Sequence, residues 1–254
     1  MEYTLDGSGP TKHPYEHSIE RYTGNETLRF LDERDTERPF FIHMSFQRPH
    51  APIAPSKAHF GLYDPKRLTL PEGSSDLFRN GFAGKPRFMI EHIERHGTYP
   101  LAKDETALRR CLASYYALIT AIDGEIGRVL DHLTESGDIE NTIIFYTADH
   151  GDFAGEHGLF HKNFGIYESI HRIPFLLSRP GGPRGGRFDG LVESVDLYPT
   201  LCELAGIPLP AGRDGTPLSA LMAHHGKGMF SMNKRNETIR HADTKITSLV
   251  PVTD

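Results

Sequence analysis

The chain has 254 residues, 37% of them hydrophobic, and a formal net charge of −6 at pH 7. A chain of this length can bury the core of one large domain, and its negative charge disfavours nucleic acid or an anionic membrane as the main partner. No apolar run approaches the roughly 18 residues that a membrane-spanning helix needs. The two cysteines, Cys111 and Cys202, are too few for a disulfide framework and lack metal-type spacing.

The first part of the chain contains two predicted helices. Residues 1–17 are polar, contain several Gly and Pro residues, and are predicted to be irregular, with no apolar signal-peptide core. A helix is predicted from Ser18 to Glu33, and a longer one from Asp104 to Ser136, with Gly137 as its C-terminal stop. The longer helix has a stripe of apolar residues that is expected to pack against a sheet. The residues of this stripe are Leu108, Leu112, Tyr115, Ile119, Ile122, Ile126, Val129 and Leu133.

Between these helices, a strand is predicted from Pro39 to Phe46, followed by a proline-rich loop that contains His50. An imidazole just past a strand can donate a hydrogen bond to an oxygen of a bound ester or assist its leaving group. The alternative is an incidental histidine in a rigid turn. His50 is therefore a candidate substrate-binding and catalytic residue.

The segment from Thr147 to Asp152 carries the clearest chemical signal. It follows a predicted strand, Asn141 to Tyr146, and places Asp149 beside His150, with Lys162 downstream. Open α/β sheets bind ligands beyond the carboxyl ends of their strands, a carboxylate and an imidazole are metal ligands, and a lysine can neutralise an anion. The alternatives are a turn-capping Asp149, a surface His150 and a solvated Lys162. The pattern indicates a metal-dependent hydrolytic site for an anionic ester.

Two further histidines, His157 and His161, stand four residues apart. That spacing suits a zinc ion only if both side chains lie on one helical face. Gly151, Gly155 and Gly158 disfavour a helix there, so a zinc cluster is not predicted.

The remaining chain alternates strands and helices. A short helix is predicted near Gly165 to His171, strands at Pro174 to Ser178 and Leu191 to Ser194, and a helix from Asp196 to Ala205. Strands separated by helices predict a largely parallel sheet. Residues 226–254 are predicted to form an irregular C-terminal tail, because neither periodicity persists there.

Several segments, taken in order, resemble the sulfatase family of the alkaline-phosphatase superfamily. They are PFFIHMSFQRPHAPIAP, the long helix with its Ala-Ile-Asp at 121–123, TADHGDFAGEHGLFHK, IYESIHRIPFLLSRPG and VDLYPTLCELAGIP. The resemblance covers about residues 36–222. It implies an α/β fold, an alkaline-phosphatase-like sandwich with a largely parallel central sheet and helices on both faces, incomplete in this chain. The predicted catalytic portion is residues 18–225, flanked by the irregular segments 1–17 and 226–254.

The resemblance also implies roles for individual residues. His50 and Lys162 match the family's sulfate-contacting histidine and lysine, and Asp149 and His150 match metal ligands. The implied substrate is an anionic sulfate ester. The implied cofactor is a divalent metal, with calcium expected first and manganese or zinc as alternatives.

One departure from the family pattern affects the expected activity. Sulfatases carry, earlier in the chain, an aspartate pair for the metal and a C/S-x-P/A-x-R motif whose Cys or Ser becomes formylglycine. Neither precedes His50, and the Cys111 segment has Tyr115 in place of the arginine. The chain is therefore predicted to be inactive alone, lacking the nucleophile for the covalent step, and to need an N-terminal half or an oligomer partner. The alternatives are a phosphonate monoester hydrolase or phosphodiesterase of the same superfamily, and a non-catalytic fragment or pseudoenzyme.

Overall fold

The computed structural model describes residues 8–71, 73–81, 83–88, 90–91, 104–162, 167–182 and 187–223, and the backbone of three later strands. The chain divides into two compact units. The first unit contains Met1–Thr142 and His150–Ile173, and the second contains Ile143–Asp149 and Pro174–Asp254. No helix in the described part of the chain combines the length and the apolar composition needed to cross a membrane.

The first unit is helical in its described residues. Its α-helices are α1 (Ile19–Glu33), α2 (Asp76–Asn80), α3 (Glu105–Glu135) and α4 (Glu168–His171). Single 3₁₀ turns occur at Tyr15–His17, Pro65–Arg67, Asp138–Asn141 and Glu156–Gly158.

Helix α1 confirms the predicted helix and begins where the sequence indicates. The Ser18 side chain accepts a hydrogen bond from the Arg21 amide at 3.1 Å, which satisfies one of the free N–H groups of the first turn. Gly24 lies on the buried face of the helix, and a Cβ atom there would collide with the Glu125 carboxylate of α3. Glycine at this position therefore allows α1 and α3 to approach closely.

Helix α3 confirms the predicted long helix, with 31 residues. Asp104 caps it by accepting a hydrogen bond from the Ala107 amide at 2.8 Å. Gly137 follows its end with φ at 79°, in the left-handed region that favours glycine. Both signals are local in the sequence, and for this reason the bounds could be predicted closely.

The core of the first unit forms around α3. One cluster of buried residues contains Ile53, Ala107, Leu108, Cys111, Leu112, Leu118 and Phe160. A second cluster contains Leu31, Val129 and Leu133, with Phe40, Ile42 and Met44 packed against it. Within this unit α3 therefore packs on α1 and on loop residues, where the sequence predicted a sheet.

Ile119 corrects the predicted apolar stripe, because 40% of its surface is exposed. The buried positions near the middle of α3 are Ala117, Leu118 and Ala121 instead. The heptad spacing places Ile119 in the same stripe as Leu112 and Val129, so periodicity alone does not account for its exposure. The segments packed around this part of α3 decide which side is covered, and Leu118 is the residue that joins the buried cluster.

The second unit contains strands and short helices. Its elements are β1 (Ile144–Thr147), β2 (Phe175–Ser178), a 3₁₀ turn at Ser194–Asp196, α5 (Leu197–Leu204) and α6 (Leu218–Ala223). The strands β3 (Ser231–Asn233), β4 (Thr238–His241) and β5 (Thr244–Thr247) form an antiparallel sheet in the order β3–β4–β5. These short strands lie in the segment predicted to be irregular, and the domain boundaries themselves stay a prediction.

Strands β1 and β2 pair antiparallel, with Ile144 opposite Ser178 and Thr147 opposite Phe175. The alternation of elements predicted a parallel arrangement. A parallel pair needs a crossover connection, usually a full helix. The longest helix in the described part of the intervening chain is α4, with only four residues.

Two other predicted strands differ in the structure. Pro39 to Phe46 is not assigned to a strand, and its side chains Phe40, Ile42 and Met44 pack on the second cluster instead. At 191–193 the chain turns into α5 through a capping box, in which the Glu193 amide donates to Asp196 at 2.8 Å. Asp196 also accepts from the Thr216 amide at 2.7 Å. The contact with Thr216 joins residues 20 positions apart, which a periodicity cannot reveal.

The packing of α3 generates a stability prediction. Leu112→Ala should lower the free energy of unfolding by about 2–5 kcal/mol, because Leu112 is fully buried and its truncation leaves a cavity. The matched control is Ile119→Ala on the same helix, which should change stability by less than about 1 kcal/mol because Ile119 is exposed. Urea unfolding monitored by circular dichroism measures both. Equal losses for the two variants would contradict the assignment of the buried face.

Candidate functional site

His50 lies in a loop of the first unit and its side chain is exposed. Its amide donates to the Gln47 carbonyl at 3.3 Å, and its Nδ1 lies 3.0 Å from the Ala51 carbonyl oxygen. A carbonyl can only accept, so Nδ1 carries the proton in this contact. The ring therefore presents Nε2 away from its own backbone contact.

The imidazole of His150 is held at both nitrogens. Nδ1 donates to the Gly151 carbonyl at 2.7 Å, and Nε2 accepts from the ammonium group of Lys162 at 2.5 Å. The two contacts select the neutral tautomer with the proton on Nδ1. The predicted site residues His150 and Lys162 are thus brought into direct contact.

Gly151 is required by the close approach of α4 to this loop. Its amide donates to the Ile170 carbonyl at 2.8 Å. A Cβ atom at this position would collide with the Ser169 carbonyl. Any other residue would push the chain away from α4 and displace the adjacent His150.

A single carboxylate closes the loop between His150 and Lys162. Asp152 Oδ1 accepts from the Ala154 amide at 2.8 Å and from the His161 amide at 2.9 Å. The Phe153 amide donates to the His161 carbonyl at 3.0 Å. Because both ends of the loop are tied together, Lys162 returns to the His150 ring although twelve positions separate the two residues in the chain.

Three residues of this loop that are not glycine adopt left-handed backbone angles. The φ values are 45° at Ala154, 54° at His157 and 67° at His161. Such angles cost free energy and occur where surrounding contacts overdetermine the backbone, often at functional sites. His157 and His161 do not share a helical face, because His157 itself is non-helical.

His161 lies beside Asp152 in the loop of the candidate site, and the sequence did not predict a role for it there. Its Nδ1 lies 3.9 Å from Asp152 Oδ2. Burial lowers the pKa of His161, while the charge of Asp152 raises it and that of His50 lowers it. His161 is therefore within electrostatic reach of His50 and directly precedes Lys162. In the sequence, the position of His161 directly before Lys162 was the feature that could have indicated its place in the candidate site.

Asp149 directly precedes His150 in the chain and belongs to the second unit, whereas His50, His150 and Lys162 belong to the first. Of the four predicted site residues, the structure brings His150 and Lys162 into contact, and a shared site with His50 and Asp149 stays a prediction.

The donor chemistry at His150 fits a metal ligand. Metal-binding histidines usually donate their second ring N–H to a backbone carbonyl or a carboxylate, as Nδ1 does here toward Gly151. Asp149 would add a carboxylate oxygen. Within the described residues, no three His, Cys, Asp or Glu side chains are grouped to hold an ion. The two residues therefore fit part of a metal site and supply fewer ligands than a hard divalent cation takes.

A polar cavity of about 640 Å³ lies beside the same loop. Basic side chains dominate its charged lining, with Arg79, Lys85 and His157 present and Glu156 as the acidic member. Such a lining suits a ligand that is anionic or rich in hydroxyl groups.

Comparisons with known proteins identify the family of the chain. The sulfatase family model matches residues 5–207. An arylsulfatase from Clostridium perfringens is 36% identical over 236 residues, which cover 86% of this chain and 47% of the relative. PehA from Trinickia caryophylli, a multifunctional alkaline phosphatase superfamily protein, is 32% identical over 234 residues, with 87% and 45% covered. The structure of the phosphonate monoester hydrolase SpPMH from Silicibacter pomeroyi is similar with a TM-score of 0.73 and 25% identity, over 90% of this chain and 46% of that one.

The chain spans about half the length of the relatives it matches. Its fold is the alkaline-phosphatase-like fold of these enzymes. The family model matches well over half of the residues, and the matched range includes the loops that carry His50, His150 and Lys162. The chain therefore belongs to the sulfatase family.

Proposed function

We propose that the chain forms part of a sulfuric ester hydrolase and supplies the side of its active site that binds the sulfate group. The observation that carries this proposal is the contact between Lys162 and His150, at the closed end of a loop that belongs to the sulfatase match. A net charge of −6 repels an anionic ester from the protein as a whole. A local cation is therefore needed to attract the substrate.

In this proposal, Lys162 stabilises the negative charge that develops on the sulfate oxygens during hydrolysis, where a fixed cation has its largest effect. His50 binds a sulfate oxygen through Nε2 or assists the leaving oxygen, because its Nδ1 is occupied by the Ala51 carbonyl. Both side chains belong to the first unit.

Asp149 and His150 are proposed to hold a divalent metal, on which the sulfatase family generally depends. Calcium is the first choice, with manganese or zinc as alternatives, because imidazole also suits those ions. Such an ion supplies positive charge that lowers the energy of the developing anion. His150 has a single lone pair on Nε2, and Lys162 uses it in the structure. Lys162 would therefore leave the ring when a metal is held there and become available to the substrate.

The finer architecture is also part of the proposal. For the whole enzyme we propose a largely parallel central sheet with helices on both faces, supported by the likeness to structures of the alkaline-phosphatase-like fold, with the β1–β2 pair as an antiparallel part. The proposed substrate class, a sulfate ester, is inferred from membership of the sulfatase family.

The second candidate function is hydrolysis of a phosphonate monoester or phosphodiester. The likeness to SpPMH and to PehA favours it, because both are related to the phosphatase side of the superfamily by name. Steady-state rates of the full-length gene product on an aryl sulfate and on an aryl phosphonate monoester separate the two. A higher kcat/KM on the phosphonate would replace the first proposal by the second.

The first prediction from this proposal concerns Lys162. In the full-length gene product, Lys162→Ala should lower kcat/KM on an aryl sulfate by roughly 10² or more, the scale for losing one charge contact made in the transition state. Lys66→Ala is the control, since Lys66 is exposed and should leave the rate unchanged. Comparable rates for the Lys162 variant and the parent would remove Lys162 from the site.

The second prediction concerns the metal. His150→Ala in the full-length product should weaken calcium affinity by about 10-fold or more, because one ligand and its orienting contact to Gly151 are lost. Isothermal titration calorimetry measures this directly. His13→Ala is the control, since His13 is exposed. Unchanged affinity for the His150 variant would show that the metal is bound elsewhere.

The third prediction concerns the polypeptide of these 254 residues by itself. It should show no sulfatase turnover above background with calcium or manganese present, because its sequence lacks the C/S-x-P/A-x-R nucleophile motif ahead of His50. An assay with a fluorogenic aryl sulfate provides the test. Turnover that persists in Cys111→Ala would show that another residue of this chain is the nucleophile.

A further inference from the structure

We propose that Glu20 and Arg48 form a positioning pair that fixes the loop carrying His50. The inference rests on the proposed function, because the purpose assigned to the pair is to hold His50 where it meets the substrate. Neither residue is expected to touch the substrate. Glu20 lies in the first turn of α1, and Arg48 lies two positions before His50.

Arg48 contacts the backbone of the loop that carries His50. Arg48 Nη1 donates to the His50 carbonyl at 3.1 Å and also to the Pro52 carbonyl. Pro49 and Pro52 have no N–H group, so this loop has few donors of its own. The Arg48 guanidinium supplies the missing donors from one side chain.

Arg48 is itself held by the buried carboxylate of Glu20. Glu20 is only 5% exposed, and its Oε1 has no hydrogen-bond partner within the described part of the chain. Arg48 Nε lies 3.6 Å from this oxygen. A buried carboxylate is costly unless a cation compensates it. The carboxylate therefore restrains the guanidinium, and the guanidinium restrains the loop.

The Glu20–Arg48 pair provides orientation more than stability. Buried ion pairs rarely stabilise a fold more than apolar residues of the same volume would. They do impose direction, because the planar guanidinium can reach carbonyls and a carboxylate in only a few orientations. The His50 ring is exposed and has little packing to hold it. Its orientation must therefore come from its backbone, which is what Arg48 contacts.

The experiment compares two altered forms of the full-length gene product with the parent. Arg48→Lys keeps the positive charge near Glu20 and loses the planar guanidinium, whose Nη1 reaches both carbonyls while its Nε faces Glu20. The double variant Glu20→Gln with Arg48→Met removes both charges, so that no buried charge is left unpaired and the fold is retained. The matched control is Glu26→Gln with Arg29→Met, an exposed ion pair on the same helix, with 2.5 Å between its atoms.

Three quantities are measured: amide hydrogen exchange across residues 50–54, exchange across α3, and kcat and KM on an aryl sulfate. Both altered forms should exchange at least about 10-fold faster at residues 50–54, with α3 unchanged. Their kcat should fall by roughly 10 to 10², the scale for a small misplacement of a reacting group, with a smaller change in KM. The control should match the parent in all three.

Two results overturn the pair as a positioning device. One is unchanged exchange at residues 50–54. The other is exchange that rises equally in α3, which shows a general loss of stability. A different result separates this inference from the proposed function. If exchange rises only at residues 50–54 while the parent itself hydrolyses no sulfate ester, the loop anchor is supported and the function proposed for His50 fails.

Discussion

The arrangement of the first unit depends on the buried carboxylate of Glu125. This residue lies on α3 with 1% of its surface exposed. It accepts hydrogen bonds from Tyr15 at 2.6 Å and from Arg21 at 3.0 Å, and it pairs with Arg128 on its own helix. Burial, followed by the hydrogen bond to Glu125, raises the pKa of Tyr15, so the phenol keeps its proton and donates it. These contacts join α3 to residues more than 100 positions earlier, and removing the carboxylate would leave two partly exposed arginines without their anion and the Tyr15 hydroxyl without its acceptor.

The position of α1 determines what happens at the His50 loop. Once α1 lies against α3, its first turn places Glu20 beneath Arg48. The loop that carries Lys162 is held in the opposite way. Its Asp152 carboxylate accepts hydrogen bonds from two backbone amides, whereas Arg48 donates hydrogen bonds to two backbone carbonyls of the His50 loop. Each candidate side chain therefore projects from a loop whose backbone is held by one charged side chain. In the second of these loops Phe153 and Phe160 are also buried, so apolar packing and backbone hydrogen bonds together hold it.

Membership of the sulfatase family indicates which reaction the two loops would serve, the hydrolysis of an anionic ester. In the proposed function, an anionic ester needs a cation at the point where its charge grows, and Lys162 beside the ring of His150 would provide one. The strained backbone at Ala154, His157 and His161 fits the same interpretation, because a shorter or relaxed loop would not return Lys162 to His150. His161 directly precedes Lys162, with its pKa lowered by burial and by the charge of His50.

The sequence by itself determined the two long helices and the location of the candidate chemistry. Ser18, Asp104 and Gly137 act within one turn of their helices, and the Asp149–His150 and Lys162 motif is contiguous with a predicted strand, so local rules were sufficient. Only the tertiary structure decided that Ile119 is exposed, that β1 and β2 pair antiparallel, that Glu20 meets Arg48, and that His161 lies beside Asp152. Each of these depends on which distant residues meet, and a pattern read along one chain carries no information about where a charge far away in sequence will lie.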